Sequence, residues 1–135
     1  MSRAAGSGGA VAVASVAFRV EGPVVPAVRM TQRTKFLPPA QRYLAYQGEV
    51  RLRAKEAMAG AAPLAGPVVV RILIAARKRR FDLDNGIKAI LDSLNRVAFV
   101  DDRQVVRIDA DVRDGEFEYV HVTVTPVETA TKGER

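Results

Sequence analysis

The feature that most constrains the fold is the run from Val68 to Ala76, which is apolar throughout except for Arg71. Its length and its β-branched residues favour a strand at the centre of a sheet. Pro67 precedes the run, and a basic cluster from Arg77 to Arg80 follows it. We therefore predict a central strand here, with the other elements arranged around it.

Three further strands are predicted from the two-residue alternation of apolar and polar side chains. The first spans Val11 to Val20. The other two, Gln104 to Val112 and Glu118 to Val127, are separated by the turn residues Asp114-Gly115. We expect these last two strands to form an antiparallel hairpin.

Two helices are predicted from apolar residues at helical spacing. One lies between Ala40 and Gly60, and its apolar stripe is Leu44, Val50, Ala54, Ala57 and Met58. The other follows an N-cap at Asn85 and ends near Arg96. The proline-rich segment from Gly22 to Pro39 is a long connection. The order is β-loop-α-β-α-β-β, which predicts an α+β domain with a mixed four-stranded sheet and two helices over residues 11–127. Residues 1–10 and 128–135 are predicted to be flexible tails.

Composition narrows the classes of function. A chain of 135 residues has room for one domain, and 48% hydrophobic with 27% charged residues is ordinary for a globular protein. The sequence has no cysteine and a single histidine, His121. These counts argue against disulfides, a thiolate metal site, a histidine-rich zinc site and a Ser-His triad. No apolar run is long enough to span a membrane, so we expect no membrane partner.

Acidic residues are concentrated in one part of an otherwise basic chain with a formal net charge of +6. They are Asp82, Asp84, Asp92, Asp101 and Asp102. A basic protein attracts polyanions, but these carboxylates would repel one unless a hard divalent cation lay between them. The pattern is that of a metal-dependent nuclease.

The spacing of these residues predicts how they meet. Asp82 and Asp84 leave the central strand at alternate positions, so we expect their carboxylates to point the same way. Lys88 lies one helical turn after Asp84 and reaches back toward the same place. Asp101 and Asp102 precede a later strand, and they join the first pair if that strand lies beside the central one.

Each of these residues also has an ordinary structural interpretation. An aspartate before a helix is often an N-cap, and the Asp101-Asp102 pair is typical of a solvated turn. Lys88 alone is a surface lysine that forms an i,i+4 pair with Asp92. Only the combination favours a catalytic site.

The combination resembles the signature of a known family. Asp82-x-Asp84-Asn85, Lys88, Leu91-Asp92-x-Leu94 and Asp101-Asp102-x-x-Val105 are similar to the motif of the RusA family of Holliday junction resolvases. Its members are small, basic, dimeric endonucleases that phages and prophages often encode. The resemblance is close from Arg77 to Val106.

The resemblance implies roles for the acidic residues and the lysine. Asp82, Asp84 and Asp102 match the metal-binding catalytic carboxylates, and Lys88 matches an essential catalytic lysine. Asp101, beside Asp102, is a further candidate metal ligand whose role stays open. The implied cofactor is Mg²⁺, with Mn²⁺ as a substitute.

The resemblance also implies the overall function. We expect a cytoplasmic, nucleoid-associated endodeoxyribonuclease of bacterial or phage origin that resolves four-way DNA junctions in recombination and repair. It would act as a homodimer that makes paired symmetric nicks. Because so small a domain has few helices to cover both faces of its sheet, the apolar surfaces of Val11 to Val20 and the terminal hairpin are candidates for the interface. The alternatives are a non-catalytic branched-DNA-binding protein and a small-molecule or phosphate hydrolase.

The basic residues that flank the acidic cluster are predicted to face DNA. They are Arg29, Arg33, Lys35, Arg77, Lys78, Arg79 and Arg80. Phe36 and Phe81 lie among these charges, and each is either a base-stacking side chain or part of the core.

Overall fold

The computed structural model describes residues 15–78 and 81–127, which form one four-stranded sheet with two α-helices. The strands are β1 (Val16–Glu21), β2 (Val68–Ala76), β3 (Val105–Asp114) and β4 (Tyr119–Pro126). The helices are α1 (Pro38–Met58) and α2 (Leu83–Leu94), and a short 3-10 helix spans Asp102–Gln104. The predicted class, element order and mixed sheet are confirmed. Residues 11–14 of the predicted first strand and both predicted tails lie outside the described residues.

The strands are arranged in the order β1-β4-β2-β3. β2 pairs in parallel with β3 on one side and antiparallel with β4 on the other, and β1 pairs antiparallel with β4. The run that predicted a central strand is therefore central. β3 lies directly beside it, as the predicted meeting of the acidic residues requires.

The predicted hairpin between the last two strands is wrong. β3 and β4 are consecutive in the chain, but β2 lies between them. The burial of the two strands is consistent with this arrangement. Val120, Val122 and Val124 of β4 are fully buried, whereas Val106 and Ile108 of β3 are 62% and 40% exposed. The strand with the more apolar row thus occupies an interior position, and β3 takes the edge.

Both helices pack on the same face of the sheet. The core joins alternate residues of β1, β2 and β4 to Tyr46, Val50 and Ala54 of α1 and to Ile90 and Leu94 of α2. The opposite face of the sheet carries polar residues such as Arg71, Asp109, Asp111 and His121, and no helix of the described residues covers it. Across the described ranges, neither helix has the length and apolar character of a membrane span.

Helix α1 buries Val50, Ala54 and Met58 of the predicted stripe, but Leu44 and Ala57 are not among its buried residues. Leu44 is 43% exposed. The buried residues are Ala40, Tyr43, Tyr46, Val50, Ala54 and Met58. Their spacing of three and four residues matches the helix period better, and it places two tyrosines in the interior. The helix ends at Met58, and its C-cap residue, Ala59, adopts a left-handed conformation with φ of 51°.

Helix α2 begins earlier than predicted. Asp82, rather than Asn85, is the N-cap, and the amides of Asn85 and Gly86 both donate to its carbonyl at 3.1 Å. The earlier start allows Leu83 to pack against the core one turn before Ile87. Gly86 permits a close approach to β2, because a Cβ there would lie 3.3 Å from the Ile74 side chain.

Candidate active site

One polar stripe of α2 carries three of the charged residues that the sequence singled out. Asp84, Lys88 and Asp92 follow one another at intervals of four residues, which places them one above another on a helix. Ala89 and Ile90, on the other side of the helix, are fully buried. The amphipathic pattern that anchors α2 therefore also directs these three side chains away from the core.

An open cavity of about 360 Å³ lies along this stripe, and we call it the α2 cavity. Its charged lining residues are Asp84, Lys88, Asp92 and Asp102. The apolar ones are Ile87, Leu91 and Ile108. The structure thus brings Asp102, from the segment before β3, to the same cavity as Asp84 and Lys88.

Asp82 does not line the α2 cavity. Its side chain is exposed at the N-cap of α2 and makes no capping hydrogen bond. The predicted convergence of Asp82 and Asp84 assumed an extended chain, but the helix already includes Leu83 and Asp84. In a helix, side chains two residues apart point in different directions.

Within the described ranges, no three His, Cys, Asp or Glu side chains are close enough together to hold one metal ion. The structure therefore places two of the predicted carboxylates, Asp84 and Asp102, at one cavity, and Asp82 is not among the residues that line it.

Asp101 and Asp102 are in different environments although they are adjacent. Asp101 caps the 3-10 helix, because its carboxylate accepts a hydrogen bond from the Arg103 amide at 2.9 Å. That hydrogen bond holds the pKa of Asp101 below its usual value. Asp102 has no comparable capping role and lines the α2 cavity.

Gln104 completes the cap and fastens the turn to the rest of the fold. Its Oε1 accepts a hydrogen bond from the Asp101 amide at 3.0 Å. Its Nε2 donates to the carbonyls of Leu64 and Gly66 at 2.9 and 2.7 Å. The sequence interpretation missed this residue, whose signal is the Asp-x-x-Gln spacing of a capping box.

Lys88 forms the ion pair that its structural interpretation predicts. Its Nζ lies 3.1 Å from Oδ2 of Asp92, one turn further along α2. The Lys88 side chain is 63% exposed, whereas that of Asp92 is 31% exposed. Both residues line the α2 cavity, so the ion pair holds the positively charged Lys88 ammonium at the cavity.

Residues 22–37 connect β1 to α1, and we call them the basic connection because they carry Arg29, Arg33 and Lys35. The basic connection passes the beginning of α2. The Ala27 amide donates to the Asn85 carbonyl at 3.0 Å, which holds this connection against the N-terminus of α2. Arg29 and Arg33 are exposed beyond this contact, and Lys35 is half-buried.

A second basic segment leaves the end of β2. Arg77 and Lys78 are exposed there, and Arg79 and Arg80 lie outside the described residues. Of the two aromatic candidates, Phe36 is 73% exposed, so its placement in the core is wrong. Phe81 packs against the core, as its structural interpretation predicted.

Comparison with protein-family models identifies the family of this chain. A family model described as endodeoxyribonuclease RusA matches residues 21–125, which run from the end of β1 almost to the end of β4. The match includes both helices, the α2 cavity and both basic segments. No curated protein matches the chain.

Proposed function

Because the chain belongs to the RusA family of Holliday junction endodeoxyribonucleases, we propose that it cleaves four-way junctions with Mg²⁺ in DNA recombination and repair. The observation that carries this proposal is the α2 cavity, where Asp84 and Lys88 from α2 meet Asp102 from the segment before β3. Membership in an endonuclease family argues against a non-catalytic DNA-binding protein. We propose that it acts in the cytoplasm, at the nucleoid.

The donor chemistry of the α2 cavity fits a hard divalent cation. Mg²⁺ usually binds through one or two carboxylates together with waters and substrate phosphates, so it does not need a complete protein cage. Asp84 and Asp102 would supply the two carboxylates, and Mn²⁺ is a plausible substitute. We propose Asp82 as the third ligand on the strength of the family motif. When bound, the cation polarises the phosphate and activates water.

The side chains of the chain have separate roles in this proposal. Asp84 and Asp102 would bind the divalent cation, and the bound cation would allow a DNA phosphate to approach the acidic cavity. The Lys88 ammonium stabilises the negative charge that develops on the phosphate during attack by water. Asp101 supports the turn that presents Asp102 to the cavity, because it caps the 3-10 helix.

Cleavage assays on labelled four-way, Y-shaped and linear DNA test the function directly. We expect symmetric nicks in the four-way junction with Mg²⁺ or Mn²⁺, little cleavage of linear duplex, and no cleavage with EDTA. Equal cleavage of all three substrates would contradict junction selectivity. Undiminished cleavage in EDTA would contradict the proposed requirement for a divalent metal ion.

The basic connection is proposed to bind the DNA backbone. We expect the double variant Arg29→Ala/Arg33→Ala to bind every DNA shape more weakly. The slope of the logarithm of the binding constant against the logarithm of the salt concentration, the salt slope, should fall in magnitude by about one unit per lost phosphate contact. A salt titration of junction binding measures that slope. The double variant Lys55→Ala/Arg71→Ala removes the same charge elsewhere and serves as the control. Equal slopes in both variants would remove Arg29 and Arg33 from the interface.

A homodimer is proposed because two symmetric cuts require two equivalent sites. The interface predicted from the sequence included β3, but it needs revision at β1 and β4, since their apolar side chains are buried within the subunit. They are Val16, Phe18, Val20, Val120, Val122 and Val124. The edge strand β3 offers a better surface. In the described part of the chain, no strand pairs with its outer edge.

Two copies of β3 have complementary features when they pair antiparallel about a two-fold axis at Ile108. This register brings the exposed Val106 and Ile108 into the interface. It also sets Arg107 of each copy opposite Asp109 of the other, so unlike charges face each other. Because Ile108 lines the α2 cavity, the two cavities would lie on either side of the axis.

Sedimentation equilibrium tests this interface. We expect about twice the chain mass for the wild type at micromolar protein and the monomer mass for Val106→Lys, because a charge at the paired edge opposes association. Val100→Lys is the control, since Val100 is also exposed, at 57%, but lies outside β3. On a supercoiled plasmid with an extruded cruciform, the dimer should give linear product and Val106→Lys only nicked circles. A dimeric Val106→Lys variant would place the interface elsewhere.

A further inference from the structure

Asp92 differs from the other carboxylates of the α2 cavity because it is held from two sides. Its Oδ2 lies 3.1 Å from Nζ of Lys88 and accepts a hydrogen bond from the Tyr43 hydroxyl at 3.3 Å. Lys88 approaches from the exposed side and Tyr43, which is only 3% exposed, from the interior. Asp92 thus links a buried residue of α1 to the cation at the cavity.

The Tyr43 hydroxyl is fixed in its role as the donor to Asp92. Burial and the neighbouring Asp92 charge raise the pKa of Tyr43 to about 12, so the hydroxyl keeps its proton at neutral pH. Gln47 Nε2 donates to the same oxygen at 3.3 Å. The protonated Tyr43 hydroxyl therefore acts as the hydrogen-bond donor to the Asp92 carboxylate.

A second contact between the helices fixes the backbone at Asp92. Arg51 of α1 donates from Nε to the Ser93 carbonyl at 3.2 Å and from a terminal nitrogen to the Asp92 carbonyl at 3.5 Å. The last turn of α2 is thereby tied to α1. Both the main chain and the carboxylate of Asp92 are held by α1.

Tyr46 shows that burial alone does not require the contact between Tyr43 and Asp92. It lies on the same helix and is 7% exposed, and its hydroxyl has no hydrogen-bond partner among the residues that the structure describes. The fold thus accommodates a buried tyrosine without a carboxylate partner. Tyr46 is also a matched control, because both substitutions to phenylalanine remove one buried hydroxyl from α1.

From these contacts we infer that Tyr43 and Asp92 are positioning residues that hold the Lys88 ammonium at the catalytic cavity. The inference rests on the catalytic role proposed for Lys88. An exposed i,i+4 pair alone restrains a lysine weakly, since both side chains move freely. Anchoring Asp92 through Tyr43 fixes one end of the pair, so Lys88 has a defined place. Because the Asp92 carboxylate is paired with Lys88 and Tyr43, Asp84 and Asp102 are the two cavity carboxylates that remain to bind a metal ion.

Single-turnover cleavage at saturating enzyme tests this positioning role. We expect Tyr43→Phe to lower the cleavage rate about tenfold, as the loss of one hydrogen bond to a charged group does, with junction affinity unchanged within about twofold. Tyr46→Phe should cleave at the wild-type rate. Asp92→Asn, which keeps the shape but removes the charge that holds Lys88, should be slowed at least as much as Tyr43→Phe. Thermal unfolding of each variant identifies any that fails to fold.

The double variant Tyr43→Phe/Lys88→Ala shows whether Tyr43 acts through Lys88. We expect it to cleave at the rate of Lys88→Ala alone, because the positioned group is already absent. A full further tenfold loss in the double variant would overturn the inference, as would wild-type rates in folded Tyr43→Phe and Asp92→Asn. If Lys88→Ala itself cleaves normally, the proposed role of Lys88 fails first. If Lys88→Ala is slow while Tyr43→Phe is not, only the positioning role fails.

Discussion

Asp84→Asn is expected to abolish junction cleavage while leaving junction binding intact or stronger. The substitution removes a carboxylate charge from the α2 cavity, which weakens the binding of a cation and reduces the repulsion of DNA phosphates. A bound cation stabilises the transition state by several kcal/mol, so we expect a loss of rate on the order of 10³-fold. Asp82→Asn and Asp102→Asn should behave in the same way. Gel shift and cleavage on one preparation measure both properties.

Two controls separate the site from general effects of charge. Asp111→Asn makes the same chemical change on the polar face of the sheet and should cleave normally. Asp101→Asn alters the cap of the 3-10 helix, so we expect it to retain more activity than Asp102→Asn. Full activity in Asp84→Asn would refute the assignment of the site. Loss of cleavage together with binding would indicate misfolding.

Lys88→Ala is expected to lower the single-turnover cleavage rate on the order of 10²-fold or more, as the loss of a charge-stabilising donor does. The competing interpretation is that Lys88 only pairs with Asp92 on the surface of α2. In that case stability would change by a few tenths of a kcal/mol, at about the value of an exposed i,i+4 pair, and the rate would stay the same. Rates at saturating enzyme, with thermal unfolding alongside, distinguish the two.

Lys55→Ala is the matched control for this substitution. Lys55 is also an exposed helical lysine, in the last turn of α1 and outside the lining of the α2 cavity. We expect its cleavage rate to equal that of the wild type. A rate for Lys88→Ala within twofold of the control would remove Lys88 from the chemistry.

Much of the fold was predictable because it depends on local periodicity. The apolar run of β2 indicated a central strand, and the spacing of Ile87, Ile90 and Leu94 indicated a helix with one buried side. The stripe of Asp84, Lys88 and Asp92 follows from the helix repeat alone. The sequence motif also indicated the family, and the match over residues 21–125 confirms it.

The errors arose where a local signal had more than one structural solution. Alternating side chains indicated β3 and β4 as strands but did not specify the partners of either one. Asn85 has the chemistry of an N-cap, yet the packing of Leu83 starts α2 at Asp82. Because the helix begins at Leu83, the side chains of Asp82 and Asp84 point in different directions. The sequence analysis had placed both residues at the end of a strand, where alternate side chains point the same way.

The sequence by itself determined which segments form strands and helices and which side chains share the outer face of α2, because these properties depend on residues a few positions apart. The tertiary structure alone decided that β4 lies between β1 and β2, that Asp102 reaches the α2 cavity, and that Tyr43 contacts Asp92 across 49 positions. Such contacts join distant segments. They are selected by the competition of all apolar surfaces for burial, which no short window of sequence contains.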